Sequence, residues 1–213
     1  MLGRNLQMMD GTKSLILMCF PATGKFIDYG GGYGIFVRLM RDQGFDFYRH
    51  DPLCENIFAE GFEAREDEAY DLLTAWEVFE HLVDPMAEIE KMLKYSGNIF
   101  FSTTLLPRSP KPLDQWWYYG LEHGQHVSFY TRETLRFISK KHNLKLNHSS
   151  NSVHWMGRKQ IHPLKKRITF GHRLGLLRSM FSQRAPQSLL EQDFHQITGR
   201  FLKEPKPRGA RKG

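Results

Sequence analysis

The sequence predicts an α/β fold: a doubly wound, mostly parallel sheet with helices packed on both faces. Three observations carry that expectation. Apolar segments of strand length alternate with segments of helical spacing from Lys25 to Met156. A glycine-rich turn, Gly30-Gly31-Gly32-Tyr33-Gly34, joins the first strand to the helix after it. An isolated acid, Asp51, ends the second apolar strand, 23 residues after Asp28.

The elements follow in order. Residues 5–20 read as one helix or extended arm ending at Pro21, so 1–24 form an N-terminal arm. Lys25 to Tyr29 is the first strand. A helix from about Gly34 to Gln43 has an apolar face of Phe36, Val37, Leu39 and Met40, and Gly44 stops it. Phe45 to His50 is the second strand, and a short helix and strand are expected within 53–64. Tyr70 to Trp76 reads as a buried strand. Asp84 and Pro85 then supply an N-cap and first-turn proline for a helix through Met86, Ile89 and Leu93. Ile99 to Thr103 is the next strand. Thr131 caps a helix through Leu135 and Ile138 to His142, and Leu144 to His148 with Val153 to Met156 close the sheet.

Composition narrows the classes. The 213 residues suit one α/β domain with an appendage. No apolar run reaches the roughly 18 to 20 residues of a membrane span. Two isolated cysteines, Cys19 and Cys54, without an export pattern point to a reducing, cytoplasmic setting. Despite ten histidines, nothing has metal-ligand spacing, so no metal is expected. The net charge of +7 is uneven: from Arg158 onward there are 14 Lys/Arg against 3 Asp/Glu, so residues 1–157 are net acidic. Residues 160–213 therefore read as a basic, partly disordered C-terminal extension, with a short helix at 173–181 and a solvated charged end. That leaves 25–159 as the functional domain.

The glycine turn frees backbone N–H groups at a helix start, where an anionic group binds well. Its spacing excludes two nucleotide sites. For G-x-G-x-x-G, the third glycine would fall at Ile35 or Val37. No Gly-Lys-Ser/Thr follows, so the phosphate loop fails too. What fits is acid-x-G-x-G-x-G, as Asp28, Gly30, Gly32 and Gly34. That pattern resembles the first motif of the class I S-adenosylmethionine-dependent methyltransferases. Thr74-Ala75-Trp76-Glu77-Val78-Phe79-Glu80-His81 before Asp84-Pro85 resembles the E-V-x-E-H segment of many small-molecule members, including those acting on quinone precursors. Residues 116–130, from Trp116 to Tyr130, resemble a bacterial group associated with glycan functions.

The resemblance implies a seven-stranded Rossmann-like sheet, S-adenosylmethionine as cofactor, and in-line methyl transfer to a small-molecule or glycan-linked acceptor. It implies that Gly30, Gly32 and Gly34 line the methionine part, that Asp28 orients its amino group, and that Asp51 accepts from the ribose hydroxyls. Phe62 and Glu63 stand where adenine contacts are expected, and Glu77 and Val78 border the cofactor. Glu80-His81 is either part of that machinery or a structural pair. Residues 105–128 form the natural lid. Its Trp116, Trp117, Tyr118 and Tyr119 offer flat faces to a sugar or aromatic acceptor, or pack the lid down. His123 and His126 are the general-base candidates. Two other functions fit the same residues: a degenerate methyltransferase fold acting as an interaction module, and a nucleic-acid methyltransferase using the basic tail. The second lacks the N/D-P-P-Y/F signature, having Ala75-Trp76-Glu77-Val78 there.

Overall fold

The computed structural model describes residues 2–109, 111–158 and 186–202. The elements run α1 (Leu2–Cys19), β1 (Lys25–Tyr29), α2 (Ile35–Asp42), β2 (Asp46–His50), β3 (Leu72–Ala75), α3 (Pro85–Tyr95), β4 (Asn98–Ser102), α4 (Arg132–Lys141), β5 (Lys145–His148), β6 (Val153–Gly157) and α5 (Leu190–Thr198). The sheet order is β2-β1-β3-β4-β6-β5. β1 to β4 pair in parallel, and β6 runs antiparallel between β4 and β5.

Period-two alternation explains why helices cover both faces. Ile27, Leu73, Phe101 and Met156 point into a core with Ile89 and Met92 of α3 and Leu135 and Ile138 of α4. Their neighbours Phe26, Leu72, Phe100 and Trp155 point the other way, against Leu15 and Ile16 of α1 and Phe36, Val37 and Met40 of α2. β1 and β3 are buried on both faces, as central parallel strands are. The expected caps form: Asp84 Oδ1 accepts from Ala87 N–H at 3.1 Å, and Thr131 Oγ1 from Thr134 N–H at 3.0 Å.

Two expectations need correction. Among the described residues the sheet has six strands, one fewer than the resemblance implies. Residues 53–64 form no helix or strand; they contribute a single parallel bridge, Arg49 to Glu63. The reason is local: Asp51 and Asn56 tie 51–59 into consecutive turns through Leu53, Cys54 and Ala59 N–H. The C-terminal region also holds an element that the pattern did not reveal. α5 docks on α2 through Asp193, 1% exposed, whose carboxylate takes two hydrogen bonds from Arg41, both at 2.8 Å. Arg41 also lies over the Phe62 ring at 3.7 Å. Gly44 permits that docking, because a Cβ there would stand 2.2 Å from Gln187 O. The helix expected at 173–181, and most of the basic tail, lie outside the described residues. Among the described residues no helix is long and apolar enough to cross a membrane.

Candidate active site

The site follows from the topology. In a parallel sheet the carboxyl ends of the strands share one edge, and the turns leaving them form a crevice. Here the turn after β1 and the segment after β3 flank a cavity of about 210 Å³. Asp28, Gly30, Gly31, Gly32, Trp76 and Glu77 line it, with Tyr33, Ile35, Phe36 and Cys54 alongside. From the other side α1 brings Arg4, Asn5 and Met8.

Beneath the glycine turn sits Asp28, 3% exposed. Thr74 Oγ1 donates to its Oδ1 at 2.6 Å. Burial pushes its carboxyl up to about 7, with Asp51 adding to the rise and Thr74 and Arg49 opposing it. Arg49 is itself buried and donates to the carbonyls of Gly32 and Cys54, so one guanidinium holds both sides of the loop.

The three motif glycines have different surroundings. Gly30 has φ +71, and a Cβ there would stand 2.6 Å from Val78 Cγ2, so Val78 closes on the turn only because the side chain is absent. A Cβ at Gly32 would meet nothing within 4 Å. Gly34 precedes α2 and packs toward Asn56 and Ala59, outside the cavity lining. Asp51 takes N–H bonds from Gly32 at 2.8 Å, Leu53 at 2.9 Å and Cys54 at 3.2 Å. It cross-links the glycine turn to the end of β2. Phe62 is 2% exposed under Arg41, and Glu63 accepts from Asn56 Nδ2 at 2.8 Å; neither lines the cavity.

At the end of β3 the backbone is strained. Glu77 has φ +56, a left-handed conformation uncommon for a residue with a side chain. A closed polar ring holds it there. Its N–H donates to Ser102 Oγ at 2.8 Å, Ser102 Oγ donates back to Glu77 Oε1 at 2.6 Å, and Arg4 Nη1 reaches Oε2 at 3.2 Å. The buried indole N–H of Trp76 has no hydrogen-bond partner among the described residues, and Trp76 lines the cavity.

Three residues past Glu77, a short helical turn at Phe79–His81 carries Glu80. Its carboxylate is fully buried, and among the described residues neither oxygen has a hydrogen-bond partner of good geometry. Burial pushes it up to about 7; its own backbone N–H, His126 and the Tyr118 hydroxyl only partly offset that. The Glu80 carbonyl accepts from Val127 N–H at 2.8 Å and Ser128 N–H at 3.0 Å, which fastens the end of the 111–128 segment here. His126 is thereby held with its ring centroid 5.0 Å from that of His81.

The aromatic row of the lid alternates. Trp116 and Tyr118 are buried, the latter accepting from Thr104 N–H at 2.9 Å, so they pack the lid down. Trp117 is 79% exposed, and Tyr119 is half-buried with its hydroxyl on Lys111 O. None of the four lines the cavity. His123 is exposed against Gly120, and His126 Nδ1 donates to Tyr118 O at 2.6 Å.

A family model described as a methyltransferase domain matches residues 4–149. The chain belongs to this family. The ubiquinone biosynthesis O-methyltransferase of Aliivibrio fischeri (strain MJ11) is 32% identical over 37% of this chain and 43% of its own. The match thus spans less than half of that relative's length. Among solved structures, magnesium protoporphyrin IX methyltransferase from Synechocystis PCC 6803, with bound S-adenosylhomocysteine, superposes with a TM-score of 0.51 at 14% identity. The superposition covers 73% of this chain and 82% of that one. The plantazolicin methyltransferase in complex with S-adenosylhomocysteine gives 0.54 at 12% identity, over 85% and 80%. These likenesses establish the Rossmann-like fold.

Several residues of the methyltransferase domain's site had no signal in the sequence. Arg4, Asn5 and Met8 come from a helix with no motif, and their position depends on packing against α2. Arg49 and Ser102 look like ordinary strand residues, and Thr74 stands three residues before the E-V-F-E-H segment with no signal of its own.

Proposed function

We propose that the protein transfers a methyl group from S-adenosylmethionine to a small-molecule or glycan-linked acceptor. One observation supports the reading most: the buried acid Asp28 lies directly beneath a cavity bounded by the Gly30–Gly32 backbone. The residues there suit the cofactor's zwitterionic end. Asp28 is positioned for the ammonium group, which would favour its ionised form. Arg4 offers a cation to the carboxylate, and the open side of Gly32 leaves room for the chain between them. Asp51 keeps lone pairs beyond its three backbone bonds, enough to accept from a ribose hydroxyl. Leu53, 94% exposed beside it, offers apolar surface to the base.

When bound, the cofactor supplies an electrophilic methyl on a sulfonium; a lone pair of the acceptor takes the methyl, and the S–CH3 electrons stay on sulfur. The chain's share is placement, water exclusion and proton removal. Glu77 borders the reacting end, and Val78 backs the Gly30 turn. Exposed Trp117, with Tyr119, offers a flat face to a sugar or aromatic ring, while Trp116 and Tyr118 fix the lid. His123 and His126, both outside the cavity lining, are the imidazoles we assign to take the acceptor's proton.

The test is turnover. The full chain is incubated with S-adenosylmethionine and a panel of phenols, glycans and nucleotide sugars, and S-adenosylhomocysteine is measured by mass spectrometry. Acceptor-dependent product, reduced at least tenfold in Trp117→Ala, supports the reading; product from an RNA oligonucleotide alone would replace it.

A further inference from the structure

We infer that Glu80, His81 and His126 bind a divalent transition-metal ion, with zinc the best match to the donor set. Each residue offers a ligand atom, and these atoms lie within 4.8 Å of one another. Ligands of a tetrahedral zinc stand roughly 3.3 Å apart, so inward side-chain shifts of about 1 Å complete the site.

The hydrogen bonds around the cluster are those a metal site needs. His81 Nδ1 faces Gln125 O at 2.9 Å, and His126 Nδ1 faces Tyr118 O at 2.6 Å. A carbonyl only accepts, so each Nδ1 carries the proton and each Nε2 keeps a free lone pair. Backbone carbonyls fix ligating histidines in this way. Glu80 supplies the independent sign. It is fully buried, and among the described residues neither oxygen has a partner of good hydrogen-bond geometry, the Tyr118 hydroxyl and its own N–H compensating only in part. A buried carboxylate left so is costly, and a cation between it and two imidazoles removes the cost.

Sequence spacing hid the site because His126 stands 45 residues beyond His81. The straps from Val127 and Ser128 N–H to Glu80 O bring it in. Two nitrogens and one oxygen favour zinc or a neighbouring transition metal over magnesium, and three protein ligands leave a position open. That position suits an oxygen of the acceptor, an extension that rests on the proposed methyl transfer; ion binding does not. With His126 on the ion, His123 is the imidazole left free for the acceptor's proton.

The test uses the full chain, stripped with a chelator and titrated calorimetrically with zinc chloride, in parallel with S-adenosylhomocysteine. One zinc per chain is expected, with at least about tenfold weaker binding in Glu80→Gln and in His126→Gln. S-adenosylhomocysteine affinity should stay unchanged in both variants, which shows that they fold. Cobalt should give visible absorption in the parent that is lost in the variants. No stoichiometric zinc binding by the parent, or equal affinity in both variants, would overturn the inference. Zinc binding without S-adenosylhomocysteine binding would leave the metal site standing and remove the methyl-transfer reading.

Discussion

Arg4 at the head of α1 reaches across the cavity to Glu77 at the end of β3, with Nη1 and Oε2 3.2 Å apart. Both side chains are partly exposed, at 54% and 33%, so the pair contributes at most about 1 kcal/mol to stability. Both side chains line the cavity, which the proposed function assigns to the cofactor. Arg4→Ala should leave the urea midpoint nearly unchanged and weaken S-adenosylhomocysteine binding by roughly tenfold, the loss of one charge-assisted bond. Unchanged affinity by calorimetry would remove Arg4 from the site.

Asp28 and Glu80 should make the fold less stable as pH rises. Burial pushes each carboxyl up to about 7 from its ordinary value of 3.8 or 4.5. Between those limits the folded state holds more protons than the unfolded state, so stability is greatest at the acid end and declines toward pH 7. Above 7 their contribution is flat. The expected decline is a few kcal/mol in total, on the order of 1 kcal/mol per pH unit for each group. Urea denaturation at pH 5 and pH 7.5 measures it. Asp28→Asn should lose about half of the slope; an identical slope would show that Asp28 titrates normally.

Asp193→Ala should be severely destabilising. It leaves Arg41, 2% exposed, with Asp46 and the Phe47 carbonyl but without its bidentate partner. Breaking one side of a buried pair costs about 3–5 kcal/mol. Chemical denaturation gives the number, and faster proteolysis near α5 should accompany it. A loss below about 1 kcal/mol would mean that α5 is not docked on α2 in solution.

Gly30→Ala should lose stability and cofactor binding together. Its Cβ would meet Val78 Cγ2 at 2.6 Å, and its φ of +71 adds about 1–2 kcal/mol of backbone strain. Pairing it with Val78→Ala should restore part of the stability, because only the steric share is relieved. Thermal melts of the two single variants and the double variant read this directly. No rescue would show that backbone strain dominates.

What the sequence revealed was local. β1, its glycine turn and α2 were legible because strand, turn and helix signals lie within 20 residues. The two faces of the core followed from alternation at Phe26-Ile27, Leu72-Leu73 and Phe100-Phe101. What it hid depends on distant pairings. The Asp193 to Arg41 bond spans 152 positions, so α5 had no visible anchor. The edge expected at 53–64 was lost to turns stabilised by Asp51 and Asn56. Glu80 and His126 meet through bonds between segments some 45 residues apart, from Val127 and Ser128 N–H to Glu80 O and between His81 and Gln125 O.

The most direct test of the central claim is a calorimetric titration of the full chain with S-adenosylhomocysteine, repeated with Asp28→Ala. One-to-one binding in the micromolar range, weakened at least tenfold by the substitution while the melting curve stays cooperative, is the predicted result. No binding by the parent chain, or binding indifferent to the loss of Asp28, would contradict it.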